Sequence, residues 1–335
     1  MKPLKNLTVR QPDFPRETLT QDALSLFSGK KAGHMGAWQY QKPLYEGDPA
    51  GGAALWSEFV KNSKDYYLFQ ADVDIIDQSQ AQLRELLQGV RTLAEIGPGS
   101  EKAVRFKTIP LLSLTPNDCQ YIAIDCDEES AGGAAHFVQE SFGRLASTLV
   151  TDAFQLRRFD ADKPMALTIL GSTITNIQGD IGQSYHLRLA QLVQNYRSAM
   201  SDRDVLMATF DTNIDLPGLD KAYNHPDHAA FGVSAIHLMA RECNIQGNFD
   251  PHQWRYEPII SLASRQVAHC VYPVCSQHFG LNGQELKIQA GQHFVMNNSY
   301  KYDPGDINRV MQTAGFNVEI VRVPANPMAM VIGRL

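Results

Sequence analysis

Ala94 to Lys102 reads AEIGPGSEK and follows directly on the apolar run Thr92–Ile96. Gly97 and Gly99, two positions apart, allow a tight turn and keep Cβ atoms away from a ligand pressed against the backbone. A dinucleotide fingerprint would place a third glycine at position 102, under the pyrophosphate; Lys102 stands there instead. A lysine beside loop amides suits a carboxylate, and S-adenosylmethionine carries a carboxylate and no phosphate. The run Tyr121–Ile124 leads to Asp125, with Asp127 nearby, and an acidic side chain there accepts both hydroxyls of a ribose. Thr148–Val150 leads to Asp152, placed to accept an adenine amino group, with Phe154 available for stacking. Each signal alone is weak, because GxG turns are common and an aspartate after a strand often only caps a helix. In this order they favour a nucleoside cofactor, with S-adenosylmethionine ahead of a nicotinamide dinucleotide.

These loops need strands to hold them. Thr92–Ile96, Tyr121–Ile124, Thr148–Val150, Met165–Leu170 and Val205–Phe210 read as five strands. Leu83, Leu86, Leu87 and Val90 form a helical stripe before the first, and Leu189, Leu192, Val193 and Tyr196 form another between the last two. Such alternation argues for a mostly parallel sheet with helices on both faces. The first 70 or so residues and the segment after Asp211 differ in style. The early segment is polar, Gly/Pro-containing and dotted with aromatics. The later one holds a helix around Ile236–Cys243, strand-like runs at 259–263 and 266–274, and a hairpin signal at Asn282-Gly283. The expected division is a Rossmann-like α/β domain at 72–213 plus 299–335. A smaller α+β cap, split in sequence, would comprise 1–71 plus 214–298.

A formal net charge of −6 without any Lys/Arg cluster argues against nucleic-acid binding. No apolar leader or membrane-length run appears, which argues against a membrane partner. Five scattered cysteines without a CxxC pair fit a reducing cytoplasm. His269, Cys270, Cys275 and His278 lack paired zinc-type spacing, and His225 and His228 read as part of a polar loop, so no metal site is expected. Oligomeric state is not legible in the sequence, and nothing in it demands more than a monomer.

Two further motifs, LGSTITN at 170–176 and NNSYKYDP at 297–304, combine with EIGPGSEK and YIAIDCD. Together they resemble the histidine-specific methyltransferase family, from about Trp38 to Ile332. That family includes the ergothioneine-pathway enzyme that trimethylates the α-amine of histidine, and fungal relatives acting on tryptophan-derived amines. The resemblance implies a class I methyltransferase fold and S-adenosylmethionine held by Gly97, Gly99, Lys102, Asp125, Asp152 and Gly171. It implies that Asn176 holds the substrate amine and that Tyr66 and Tyr223 grip its carboxylate. Tyr40, with Tyr45 as the alternative, would contact the substrate side chain. Taken alone, an asparagine after a strand is usually a turn residue, and tyrosines such as these are usually core or rim aromatics.

The departures bear on specificity. Asn297, ahead of Ser299, stands where the histidine enzyme has a glutamate that binds imidazole, and a neutral amide bonds more weakly than a carboxylate. Ile260 replaces a methionine, and Thr175 a glycine. The expected activity is N-methylation of the α-amine of an amino acid or of an amine derived from one, with neutral or aromatic side chains favoured. Histidine α-N-methylation is the second reading, and a non-catalytic protein that only binds the cofactor is the third.

Overall fold

The computed structural model describes residues 16–32, 35–153, 156–176, 179–180 and 185–335. Its centre is a seven-stranded sheet. Five parallel strands form most of it: β1 (Thr92–Ile96), β2 (Gln120–Asp125), β3 (Ala146–Val150), β4 (Met165–Ile169) and β5 (Val205–Asp211). All five coincide with sequence-predicted runs within two residues at either end, because strands buried on both faces read as near-continuous apolar stretches. Two later strands complete the sheet, β12 (Asn317–Val321) and β13 (Met328–Arg334), and β13 runs antiparallel to β5. The order is β12-β13-β5-β4-β1-β2-β3. It reverses direction between β1 and β4, and in open α/β sheets ligands bind at the carboxyl ends of the strands at such a point.

Helices cover both faces. α3 (Leu68–Gln78) and α4 (Gln80–Leu87) bury Leu68, Ala71, Ile75, Ile76, Leu83 and Leu87 against one face, with α5 (Glu128–Phe142). α6 (Tyr185–Ala199) and α9 (Pro304–Thr313) cover the other. The expected domain boundary between 71 and 72 falls inside α3, which packs on the sheet as one piece. The helical stripe after β4 belongs to α6, as its periodicity indicates.

Between β5 and β12 the chain makes two further helices, α7 (Leu216–Tyr223) and α8 (Pro226–Glu242), and six strands. β7 (Trp254–Ser261), β8 (Gln266–Pro273) and β11 (Phe294–Tyr300) form one antiparallel sheet. β6 (Ile245–Asn248), β9 (Gln277–Leu281) and β10 (Gln284–Ile288) form another. Asn282 and Gly283 turn the β9–β10 hairpin with φ of +49° and +75°, the pair of positive values a type I′ turn needs. The early segment is more helical than its composition suggests: α1 (Arg16–Phe27) and α2 (Gly52–Asn62) precede α3. Leu19, Ala23 and Phe27 of α1 share one hydrophobic cluster with Ile236 and Met239 of α8, Trp254, and Phe294 and Met296 of β11. Among the described residues no helix is long and apolar enough to cross a membrane.

Candidate active site

The loops after β1 and β4 meet at the switch point. Gly97, Gly99 and Gly171 take φ of +65°, +72° and +71°, conformations open to glycine and strained for other residues. A Cβ at Gly97 would stand 3.8 Å from Thr173 Cγ2, and one at Gly171 would stand 3.8 Å from Lys107 Nζ. Glycine at both positions keeps the cleft between the loops clear. The β4 loop is pinned from below: Gly171 N–H donates to Asp72 Oδ2 at 2.7 Å, and Lys107 Nζ donates to the same oxygen at 3.1 Å. Asp72 and Lys107 are both buried. Lys107 lies on a π-helical turn, Val104–Thr108, in the helix that follows the glycine loop. Such turns are frequent at functional sites, and no periodicity in the sequence reports them.

Around the cleft, Asp125 ends β2, where burial raises its pKa, and Asp152 follows β3. Asp127 serves the fold instead, since its carboxylate accepts from Ser130 N and caps α5. Lys102 is exposed, with Nζ 4.6 Å from the centre of the Phe69 ring. Phe154 lies outside the described residues. Open glycine turns at the switch point, carboxylates following β2 and β3, and an exposed lysine after the glycine loop are the kinds of group that a nucleoside with an amino-acid tail calls for.

Next to Gly171 lies a cavity lined by Tyr40, Tyr66, Asn176, Tyr223, Asn297 and Ser299. Five stretches of chain deliver them: the approach to α2, the turn before α3, the turn after β4, the end of α7, and β11. Tyr45 is 61% exposed and lies outside this lining, which leaves Tyr40 as the tyrosine of the pair at the cavity. Ile260 does not line it either; it packs with Leu219, Ala222, Tyr223 and Val267. The cause is strand geometry. Ile260 pairs with Val267 of β8, and Val267 with Ser299 of β11, so Ile260 lies two strands across from the cavity-lining Ser299, roughly 10 Å away.

Lys301, which lines the cavity, forms a buried ion pair with Asp211, Nζ to Oδ2 2.6 Å, with side chains 2% and 1% exposed. Tyr67 donates its hydroxyl to the same carboxylate oxygen at 2.6 Å, and Asn213 N–H donates to the other at 2.9 Å. Lys301 also donates to the Tyr223 oxygen at 2.8 Å. Burial opposes the lysine's charge, but Asp211 and Tyr223 outweigh it and raise its pKa. The tyrosines stay protonated. Burial raises the pKa of Tyr40, with smaller contributions from Cys126 and Asp125. Burial and then Tyr223 raise that of Tyr66; burial raises that of Tyr223, with Lys301 partly offsetting it. Tyr223 oxygen accepts from Lys301 and also lies within hydrogen-bonding reach of the Ser299 hydroxyl, and its own proton points away from the lysine. Tyr40 and Tyr66 make no hydrogen bond through their hydroxyls to any described residue.

Two histidines, His228 and His269, also line the cavity, and neither is expected there from the sequence. His228 is in the first turn of α8, rather than in a polar loop, with His225 as the N-cap. It is 2% exposed, its Nδ1 has no hydrogen-bond partner, and it packs among Phe59, Tyr223, Tyr256 and Phe231. His269 on β8 stacks on it, ring centres 5.2 Å apart. Burial, then the neighbouring His225, pushes His228 down to about 3. Burial, then His228 and Lys301, holds His269 well below the usual histidine range. His269 and Cys270 are successive residues on β8 and so face opposite sides, Cys275 is exposed, and His278 pairs with Glu285. Among the described residues no group of three or more His, Cys, Asp or Glu is placed to hold a metal ion.

Two neutral buried imidazoles make the fold acid-sensitive. Their folded pKa values are depressed, so above about pH 6.5 both states leave them neutral. Below it the unfolded chain gains protons that the folded chain refuses, and stability falls with pH. From pH 7.5 to 5.5 the two together lose on the order of 3 kcal/mol, and His228→Phe removes about half of that loss. Urea unfolding at the two pH values measures it. An unchanged pH dependence in His228→Phe would show that His228 is protonated in the folded state.

A model of the histidine-specific, SAM-dependent methyltransferases matches residues 38–327, most of the chain. The chain belongs to that family. It is a SAM-dependent methyltransferase, and its Rossmann-like α/β core is the class I methyltransferase fold. Over 234 residues it is 23% identical to an uncharacterized protein, y4iF, of Sinorhizobium fredii, covering 68% of this chain and 75% of that one. Among solved structures, it is similar to an S-adenosylmethionine-dependent methyltransferase from Clostridium acetobutylicum, with a TM-score of 0.44 and 12% identity over 84% of this chain and 97% of the other. It is also similar to DesVI of Streptomyces venezuelae, with a TM-score of 0.43 and 11% identity over 87% and 99%. Members of the histidine-specific family share the cofactor; the acceptor must be read from the cavity.

Proposed function

We propose that this methyltransferase transfers a methyl group to the α-amine of an amino acid, or of an amine derived from one, with a neutral or aromatic side chain. The observation that carries this reading is the gathering of Tyr66, Tyr223, Asn176, Asn297 and Ser299 in one cavity beside Gly171. When bound, S-adenosylmethionine supplies an electrophilic methyl on a positively charged sulfur. Gly97, Gly99, Lys102, Asp125, Asp152 and Gly171 would hold it at the switch point. The enzyme must then present a neutral amine in line, a positioning problem more than one of acid–base chemistry. Asn176 offers Oδ1 to an N–H of the amine. Tyr66, with a hydroxyl that bonds to no described residue, and Tyr223, with its proton turned from Lys301, offer two donors to a carboxylate.

Asn297 supports a neutral side-chain pocket. Its Oδ1 already accepts from Asn298 N–H at 2.8 Å, so the amide turns its N–H₂ outward, a donor in place of an anionic acceptor. Among the described residues no acidic side chain lines the cavity, whereas Trp56, Phe231 and His228 do. L-histidine is the second reading, favoured by the family's description; a neutral imidazole nitrogen could accept from Asn297. The segments 1–71 and 214–298 would act as a cap that closes the acceptor side.

The test is release of S-adenosylhomocysteine with a panel of L-amino acids and their decarboxylated amines. Amino acids are expected to react faster than the matching amines. Tyr66→Phe raises KM for the acids by about 10-fold, the worth of one hydrogen bond to a charged group, and leaves the amines unchanged. Cofactor binding without release from any member of the panel would sink the reading and leave a cofactor-binding protein.

A further inference from the structure

We infer that Tyr256 and His269 are positioning residues that act through Ser299 to hold the Asn176 carboxamide in one orientation. This rests on the reading that Asn176 receives the substrate amine. Three hydrogen bonds link the four residues: Tyr256 OH to His269 Nδ1 at 2.7 Å, His269 Nε2 to Ser299 Oγ at 2.9 Å, and Ser299 Oγ to Asn176 Oδ1 at 3.3 Å.

Counting protons gives the chain a single direction. Asn176 Oδ1 only accepts, so the one hydroxyl proton of Ser299 points to it. Ser299 oxygen must then accept from His269, which puts the ring hydrogen on Nε2. A neutral imidazole has one N–H, so Nδ1 is the acceptor for Tyr256. Burial keeps the ring neutral: His269 is 5% exposed and packs against both Tyr256 and His228. The backbone holds the link as well, since β8 pairs with both β7 and β11, the strands that carry Tyr256 and Ser299.

The consequence lies at Asn176, which sits at the end of the Thr173–Thr175 turn. Its Oδ1 takes the Ser299 proton on one lone pair and keeps the other for an amine N–H. Without the Ser299 bond the carboxamide can turn over and present N–H₂ to the amine. A donor there would engage the lone pair that must attack the methyl carbon.

The test reads the tautomer and the rate separately. In protein labelled with ¹⁵N-histidine, His269 is expected to show the Nε2–H tautomer, and Tyr256→Phe is expected to convert most of it to Nδ1–H. Tyr256→Phe and His269→Phe should lower kcat about 10-fold with the fastest acceptor of the panel, while the Kd for S-adenosylhomocysteine and the acceptor KM stay within about two-fold. His269→Gln, whose amide can still donate to Ser299, should recover most of the rate. Adding Ser299→Ala to Tyr256→Phe should cost little more, since both cut one chain. An Nδ1–H ring in the unaltered protein, or full kcat in Tyr256→Phe, overturns the inference. The tautomer is read without turnover, so its answer stands apart from whether Asn176 holds the amine.

Discussion

Replacing Lys301 with methionine is expected to destabilise the fold by about 3–5 kcal/mol and to lower Tm by roughly 10 °C. The lysine and Asp211 are both almost wholly inside the protein, so removing the cation leaves a buried carboxylate without its counter-charge. Tyr67 and the Asn213 amide still bond to it, but neither carries a charge. Such a loss costs far more than that of a surface pair, which is worth about 0–1 kcal/mol. The acceptor site suffers too, because Lys301 fixes the Tyr223 oxygen and so the direction of its proton. The companion variant, Lys301→Met with Asp211→Asn, removes both charges and should regain much of the stability. It should not regain acceptor affinity, because Tyr223 still lacks its donor. Thermal unfolding and KM measured on both variants separate the two effects. Equal Tm for the unaltered protein and Lys301→Met would show that the pair is solvated or replaceable.

The cofactor half of the enzyme is far more legible in the sequence than the acceptor half, and the reason is physical. Strands β1, β2, β4 and β5 are buried on both faces and announce themselves as apolar runs, while β3 at the sheet edge is only partly buried. Their loops then follow the chain directly, so Gly97, Gly99, Asp125 and Gly171 can be placed by counting. The acceptor cavity is built from five separated stretches. Its support comes from pairs such as Lys301–Asp211 and Lys107–Asp72, 90 and 35 residues apart. Partners at that range have no local pattern. A hint is present nonetheless: Lys301 sits between Tyr300 and Tyr302, and a lysine inside an aromatic stretch calls for a buried counter-charge. Asp211, closing the apolar run Val205–Phe210, is the available candidate.

The same physics explains the misplacements. Rank along the chain points to Ile260, whereas the cavity wall is β11, and the register places Ile260 level with Ser299 but two strands across from it. His228 beside Pro226 suggests loop, yet proline in the first turn of a helix is favoured, and His225-Pro226-Asp227 reads equally as a helix start. Once α8 begins there, His228 and Phe231 are three apart and face the same way. His269 reads in sequence as no metal ligand, because its spacing to the cysteines is wrong for one, and its contacts across β8 to Tyr256 and Ser299 are not visible there.

Asn176→Ala is expected to lower kcat by about 100-fold while the protein folds normally and binds S-adenosylhomocysteine as before. The side chain is only half-buried, at the end of the Thr173–Thr175 turn, and its one side-chain bond within the described residues is the proton it accepts from Ser299. Its removal therefore leaves little unsatisfied: Ser299 loses an acceptor but keeps His269. What disappears is the acceptor that holds the amine N–H and turns its lone pair toward the methyl. Because in-line attack tolerates little misplacement, an amine left free to rotate loses rate more than affinity. Tyr66 and Tyr223, the proposed donors to the carboxylate, are untouched, so KM should move by less than about three-fold. Asn176→Asp makes the sharper comparison. A carboxylate there would accept more strongly and stabilise the ammonium form, which has no lone pair to give. Its rate should be low near neutrality and rise with pH as the amine loses its proton, whereas Asn176→Ala should stay low throughout. Full turnover in Asn176→Ala at unchanged KM would place the amine elsewhere in the cavity.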